Sequence, residues 1–466
     1  MNFSNEILKL KQAEYSRPMT YTEFLEREIR EFKLSQGLKE MIDGERYYAG
    51  THDILARKRT AIGENGELTE VDNLPNNRIT DNQYKRLVTQ KVNYLLGRPL
   101  AVIGKDKKYD AILKGIFNRS FQRLIKNIGE DAINCGIGWL YVYEDENGEL
   151  AFRRFKPYEV IPGWADAEHT VLDYAIRLYE IVYYEGTARR IVEKAEVYDK
   201  NGVSYYTLVG GKLKPDEDKM PHGYILSGDK NYNWLKIPLI AFKYNAKEIP
   251  LIKDVKTLQD GLDLLMSDFQ NGMEEDVRNT ILVLKNYDGE NLGEFRQNLA
   301  AYGAVKVRTV DGSEGAVETL NIEVNSENYE NIIRIFKKAI IENGRGFDAS
   351  ELRNSGTPNQ MNIQSVYSDI DLDANGMETE FQAAFEQLLW FIDTHLYNTG
   401  KGSFEGGAEI IFNRDMLIDE AGVIENCVKS KDVISLETVV KNHPWVDDVK
   451  GELIRMKEED LPVGGG

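Results

Sequence analysis

Between residues 249 and 399 the chain reads as helix, small insert, helix, exposed loop and long helix, and this order restricts the fold more than any other stretch. In the first helix Val255, Leu258, Leu262, Leu265, Phe269, Met273 and Val277 recur at steps of three and four, which makes one apolar stripe. Asp254, Asp260, Asp263, Asp268, Gln270 and Glu274 fall opposite the stripe. One side is therefore expected to pack while the other stays wet and acidic. At about 1.5 Å per residue, a helix over residues 253–279 is roughly 40 Å long. The insert begins with a strand-like run at 280–287 and continues through a helix-like piece at 294–302. Two further strand-like runs, 304–310 and 316–324, meet at Asp311-Gly312. Residues 326–343 then space Tyr329, Ile332, Ile333, Phe336 and Ile340 helically. The pattern predicts two antiparallel struts with a small β-rich cap at their far end.

Gly344-Arg345-Gly346 stops the second strut. The next residues have no apolar period and hold Asn354-Ser355-Gly356-Thr357-Pro358-Asn359, a dense run of turn formers. Long loops between strong helices are uncommon unless they serve a function. A helix over 363–397 follows, with Val366, Tyr367, Ile370, Ala374, Met377, Phe381, Phe385, Leu388, Ile392 and Leu396 at helical steps.

The first half predicts helices and then a β meander, an α+β arrangement. Thr20 and Glu23 form a capping box ahead of Phe24, Leu25 and Ile29. A second helix covers 38–48, a third carries Leu87, Val88, Val92 and Leu95, and residues 109–133 read as a single fourth. Around Asn147-Gly148 the alternation is that of a hairpin. Strands are expected at 171–184, 190–198, 203–209 and 236–244. A short strand at 408–413 and acidic amphipathic helices from 419 onward close the chain. His52, Arg57, Lys58 and Arg59 form the most basic short patch of the first quarter and are expected on a solvated or subunit-facing surface.

The formal net charge of −19 argues against a chain whose task is to grip DNA or an anionic membrane tightly. Cys135 and Cys427 stand apart, without metal-ligand spacing or a disulfide framework, and Cys135 reads as a small buried residue. There is no signal-peptide pattern and no run of about 18 apolar residues, so a cytosolic product without a membrane span is expected. Gly210-Gly211-Lys212 lacks the spacing of a phosphate-binding loop, and HExxH, GxSxG and GxGxxG are absent. Asp369, Asp371, Asp373 and Glu380 imitate a calcium loop, but Ala374 stands where glycine is needed and the helical period continues through them. A solvated acidic helix face is the expectation there, with no metal, cofactor or catalytic residue. A soluble hydrolase using scattered carboxylates is the rival reading.

The segments RYYAGTHDILARKR, NRITDNQYKRLVTQKVNYLLGRP, INCGIGWLYVYEDENGEL with KPYEVIPGW, KIPLIAFKYN, NTILVLKNYDG and GRGFDASE, in this order, resemble the portal proteins of tailed double-stranded-DNA phages. The likeness covers most of the chain and is strongest to the type found in long-tailed phages of Gram-positive hosts. It implies an α+β portal fold: a wing over 1–248, stem helices at 249–279 and 326–344, a clip at 280–325 and a tunnel loop at 345–362. A long wing helix with the C-terminal wing would then occupy 363–431, and a helical crown 432–466. The resemblance also implies a twelve-subunit ring at one capsid vertex, a channel for packaging and ejecting double-stranded DNA, and a nucleus for procapsid assembly. Implied partners are the terminase motor, the major capsid and scaffolding proteins and head-completion adaptors. The location would be the virion, after assembly in the host cytoplasm, and another ring-forming head-to-tail adaptor is the alternative within this class.

On that likeness Arg345, Ser350, Arg353, Asn354, Gly356, Asn359 and Gln360 belong to the tunnel loop. Asp260, Asp263, Glu274, Lys337 and Lys338 face the channel from the stem, and Val305, Lys306, Val307 and Arg308 make clip contacts to neighbours or adaptors. Ring closure would repeat each exposed acid around the lumen, so that a duplex finds no deep electrostatic well. Lys337, Lys338, Arg345 and Arg353 would supply sparse positive rings.

Overall fold

The computed structural model describes residues 19–62, 67–70, 74–227, 230–278, 281–285, 316–320, 326–348, 360–404, 407–414, 420–446 and 449–459. In chain order the elements are α1 (Tyr21–Lys33), α2 (Gln36–Tyr48), β1 (Thr60–Ile62), β2 (Leu68–Glu70), α3 (Gln83–Leu96), β3 (Ala101–Gly104), α4 (Lys107–Ile116) and α5 (Arg119–Cys135). Strands β4 (Ile137–Glu144), β5 (Leu150–Phe155), β6 (Val160–Trp164), β7 (Leu172–Glu185), β8 (Ala188–Asp199), β9 (Gly202–Val209), β10 (Lys212–Pro215), β11 (Ile225–Ser227), β12 (Lys230–Tyr232) and β13 (Leu239–Lys243) follow. Then come α6 (Ile252–Arg278), β14 (Ile281–Lys285), β15 (Ala316–Leu320), α7 (Ser326–Asn343), α8 (Gln360–Asn398), β16 (Ala408–Ile411), α9 (Glu420–Ser430), α10 (Leu436–Lys441) and α11 (Val449–Glu459).

The chain forms two compact units. The larger comprises residues 1–49, 84–255 and 341–466. Its main sheet is antiparallel in the order β10-β9-β8-β7-β6, and a second sheet runs β13-β4-β5. Phe24, Leu25 and Ile29 of α1 bury against Ile161, Tyr174, Ile176, Val197 and Leu213 of the main sheet. A capping box fixes where α1 begins: the Glu23 amide donates to Thr20 Oγ1 at 3.2 Å, and the Thr20 amide donates to the Glu23 carboxylate at 3.0 Å. Helix α8 buries Ile370, Met377, Phe381, Phe385, Leu388 and Ile392 along one stripe. The Phe242 ring of β13 lies 5.0 Å from Phe381 and 5.4 Å from Phe385, edge to face. Gly136 ends α5 at φ +84, where a Cβ would come within 2.0 Å of the Glu248 carbonyl oxygen. Only glycine fits there.

The expected single helix over 109–133 is two. Asn118 interrupts it and caps α5, accepting from the amides of Ser120 and Phe121 at 2.9 and 3.2 Å. The apolar period runs through the break because both helices bury residues on the same core, so periodicity alone does not register the cap.

The smaller unit comprises residues 50–83 and 256–340. It holds β1 paired with β2, most of α6 and α7, and β14 paired antiparallel with β15. Helices α6 and α7 run antiparallel. Phe336 packs where a Cβ on Gly261 would meet it at 2.5 Å, and eight residues further along α6 the Phe269 ring lies 5.1 Å from Tyr329. The expected strand at 304–310 lies outside the described residues.

Candidate functional site

The strut expected to be wet on its polar side carries a dry row there, while Asp254 is exposed and Asp260, Asp268, Gln270 and Glu274 are half-buried. Gln259, Asp263, Ser267 and Asn271, four residues apart on α6, are all buried to 1% exposure or less. Each accepts a backbone N–H from the segment that precedes α3. The Gln83 amide donates to Gln259 Oε1 at 3.0 Å, Asp81 to Asp263 Oδ1 at 2.9 Å, Ile79 to Ser267 Oγ at 3.0 Å and Asn77 to Asn271 Oδ1 at 2.7 Å. Two residues of extended backbone advance about 6.6 Å and four helical residues about 6 Å. Every second amide of the segment therefore meets every fourth side chain of the helix, with the two running in opposite directions. The ladder is cross-braced by the Gln259 amide, which donates to the Asp81 carbonyl at 2.8 Å and to Asp263 Oδ1 at 2.9 Å.

This ladder corrects two expectations. Asp263 does not belong to an exposed face: its second oxygen lies 2.5 Å from His52 Nδ1, and both side chains are wholly buried. The basic patch at 52–59 is only partly on the surface: Lys58 is exposed as expected and reaches Glu70 at 2.8 Å, whereas His52 is buried and the half-buried Arg57 and Arg59 reach Asp268 at 2.8 and 3.7 Å. The remaining predicted stem residues are half-buried or exposed. Asp260 pairs with Lys256 at 3.0 Å, Glu274 accepts from Asn77 Nδ2 at 3.0 Å, Lys337 pairs with Asp81 at 2.6 Å, and Lys338 is exposed.

In the larger unit, residues 345–348 lie along α3. Lys91 donates to the Arg345 carbonyl at 3.3 Å, Gln90 to the Phe347 carbonyl at 3.0 Å, and Arg86 pairs with Asp348 at 3.2 Å. Phe347 stacks on Tyr367 of α8 at 4.5 Å. Arg345 sits at φ +49, exposed, with its guanidinium 3.6 Å from Asp373. Beneath it Lys91 donates to Asp373 at 2.6 Å and the Tyr244 hydroxyl donates to the same oxygen at 2.8 Å. Burial pulls the Lys91 ammonium below its ordinary range against the attraction of Asp373, and burial holds the Tyr244 phenol well above its own.

Of the acids of the calcium-like run, Asp369 is exposed as a solvated face requires, whereas Asp371 and Asp373 are engaged within the chain. Asp373 anchors this node, and Asp371 accepts from the Tyr94 hydroxyl at 2.7 Å and is paired with Arg414. Among the described residues no three His, Cys, Asp or Glu side chains are placed to hold a metal ion. Cys135 is fully buried, as expected of a small core residue. Ser350, Arg353, Asn354, Gly356 and Asn359, and Val305, Lys306, Val307 and Arg308, lie outside the described residues. Gln360 opens α8.

The sequence matches the family described as phage portal protein, SPP1 Gp6-like, over residues 33–461. The chain belongs to that family. It is 28% identical over 426 residues to the portal protein of Bacillus phage SPP1, covering 90% of this chain and 83% of that one. It is 27% identical over 435 residues to the portal protein of Clostridium phage phiCD119, covering 91% and 93%. The family's function is that of a structural component of the phage capsid, and the mixed helix and sheet observed here is an α+β portal fold. Among the described residues no helix is long and apolar enough to cross a membrane.

Of the ladder residues the sequence singles out only Asp263, as an exposed acid, although a signal for the row is present: polar side chains at strict steps of four beside a run, 75–82, with no period of its own. The Lys91–Asp373 pair, 282 residues apart, had none.

Proposed function

We propose that twelve copies of this portal protein close into a ring at one capsid vertex, with α6 and α7 as the stem, 280–325 as the clip, 345–362 as the tunnel loop, 363–431 as long helix and C-terminal wing, and 432–466 as the crown. Double-stranded DNA passes through the ring during packaging and ejection. The terminase motor docks on it, the major capsid and scaffolding proteins assemble from it, and head-completion adaptors join it afterwards. The chain is made in the host cytoplasm and ends in the virion.

The observation that carries the ring is the inversion of exposure on the stem pair. Its polar ladder is already covered, while Leu264, Met273, Ile332 and Ile335 are 40–62% exposed. A heterologous contact that closes by rotation buries such residues on every subunit at once. With Asp263 withdrawn, the acids left for the lumen include Asp260 and the exposed Glu327 and Glu330 of α7, interleaved with exposed Arg334 and Lys338. Screening over about 8 Å at physiological salt keeps their action on the duplex short-ranged. DNA then slides without adhering.

Electron micrographs of the purified chain test the ring: particles of several hundred kilodaltons with a central hole are expected, and solitary globules overturn the reading. Shortening residues 350–360 is expected to leave ring assembly intact and lower DNA packaging or retention. Unchanged packaging removes the tunnel-loop assignment. Charges introduced at Val305 or Val307 are expected to disturb neighbour or adaptor contacts, as judged by ring formation and tail joining.

A further inference from the structure

Strands β7 and β8 outrun their sheet. Strand β6 pairs with β7 no further than Arg177, and β9 pairs with β8 no further than Glu193, yet β7 and β8 stay paired with each other out to Glu185 and Ala188. The twelve residues from Glu180 to Ile191 are exposed throughout and form a two-stranded ribbon whose outer edges pair with no strand among the described residues. Such a ribbon is marginal in water by itself.

Side chains opposite one another across an antiparallel pair share a face. One face of the ribbon carries Ile181 opposite Val192 and Tyr183 opposite Arg190, and the other carries Val182 opposite Ile191 and Tyr184 opposite Arg189. Each face thus repeats the same unit, an aliphatic pair and then a Tyr–Arg pair. Ile181, Val182, Tyr183, Tyr184 and Ile191 are 40–69% exposed. A strand with one solvated face alternates apolar and polar residues, whereas apolar residues on both faces belong to a strand covered on both. Tyrosine and arginine are also the residue types that concentrate binding energy at protein interfaces.

We infer that this ribbon is a contact between neighbouring copies of the chain, inserted so that both of its faces are covered. This rests on the ring reading above and names one of its interfaces. Two features favour a second copy over another protein. The first is charge. Copies carrying −19 each repel, and can meet only where charge is balanced. In the ribbon Glu180 and Glu185 balance Arg189 and Arg190, and Glu185 and Arg190 already pair at 3.1 Å. The second is size. Stable stand-alone interfaces use about 20–30 residues a side, so twelve suit one part of a composite self-contact better than the sole attachment of a foreign protein.

The test introduces Tyr183→Asp with Tyr184→Asp in the full-length chain and follows assembly by sedimentation and electron microscopy over a concentration series. The wild type is expected to form rings, and the variant to need at least tenfold more protein to reach half assembly while its monomer keeps the wild-type circular dichroism. Equal assembly of the two removes the ribbon contact and leaves the ring reading standing. A wild type that never assembles removes the ring reading and this contact with it. A photoreactive phenylalanine analogue at position 184 is expected to cross-link one copy to the next, and a cross-link only to a different virion protein overturns the inference.

Discussion

The α6 ladder and the β7–β8 ribbon reverse the same rule in opposite directions. On α6 four polar side chains are buried, and on the ribbon five large apolar ones stand in water. The difference lies in what each group's partner is. A buried polar atom is tolerated when a donor or acceptor of the same chain meets it, and the amides of residues 77, 79, 81 and 83 do so. The exposed apolar faces of the ribbon have no such cover among the described residues, and the inference above assigns it to a neighbouring copy. One region is closed in the single chain, and the other is left open for assembly.

The largest effect expected from that contrast is at Asp263. Asp263→Leu removes at once the acceptor of the Asp81 amide, the carboxylate beside His52 Nδ1 and one of the two acceptors of Gln259 Nε2, and should lower the unfolding free energy by about 3 kcal/mol or more, read from denaturant titration. A loss under about 1 kcal/mol would mean that the ladder is not a closed network. Ser267→Val deletes a single rung, leaves the Ile79 amide unpaired, and should cost roughly 1–2 kcal/mol. Hydrogen exchange sharpens this prediction, because the amides of Asn77, Ile79 and Asp81 should exchange more slowly than those of Arg78 and Thr80, and the Val variant should release Ile79 first. Smallest of all is the ribbon double variant, which should shift monomer stability by no more than about 0.5 kcal/mol. A larger loss would place the ribbon in the fold rather than at an interface.

Much of the fold is legible in the sequence where a local signal decides an element. The Thr20/Glu23 box, the hairpin around Asn147-Gly148, the strands of the meander, the helix pair and the long helix all lie within a few residues of where periodicity and turn chemistry put them. The break at Asn118 is less legible, because an asparagine inside an unbroken apolar period reads equally as a helix residue or a cap. The site is less legible still. Arg57 and Arg59 look like a free basic patch until Asp268 is brought beside them from two hundred residues away.

The sequence alone determined which residues of α6 share a face, since 3.6 residues per turn leave no choice. It did not determine what those faces meet. A polar side chain every fourth residue satisfies water and a backbone amide equally well, and the choice between them waits on another segment, 176 to 194 residues distant for the four rungs. Only the folded chain, by laying residues 77–83 along the helix, took one row of a face that read as wet out of the water.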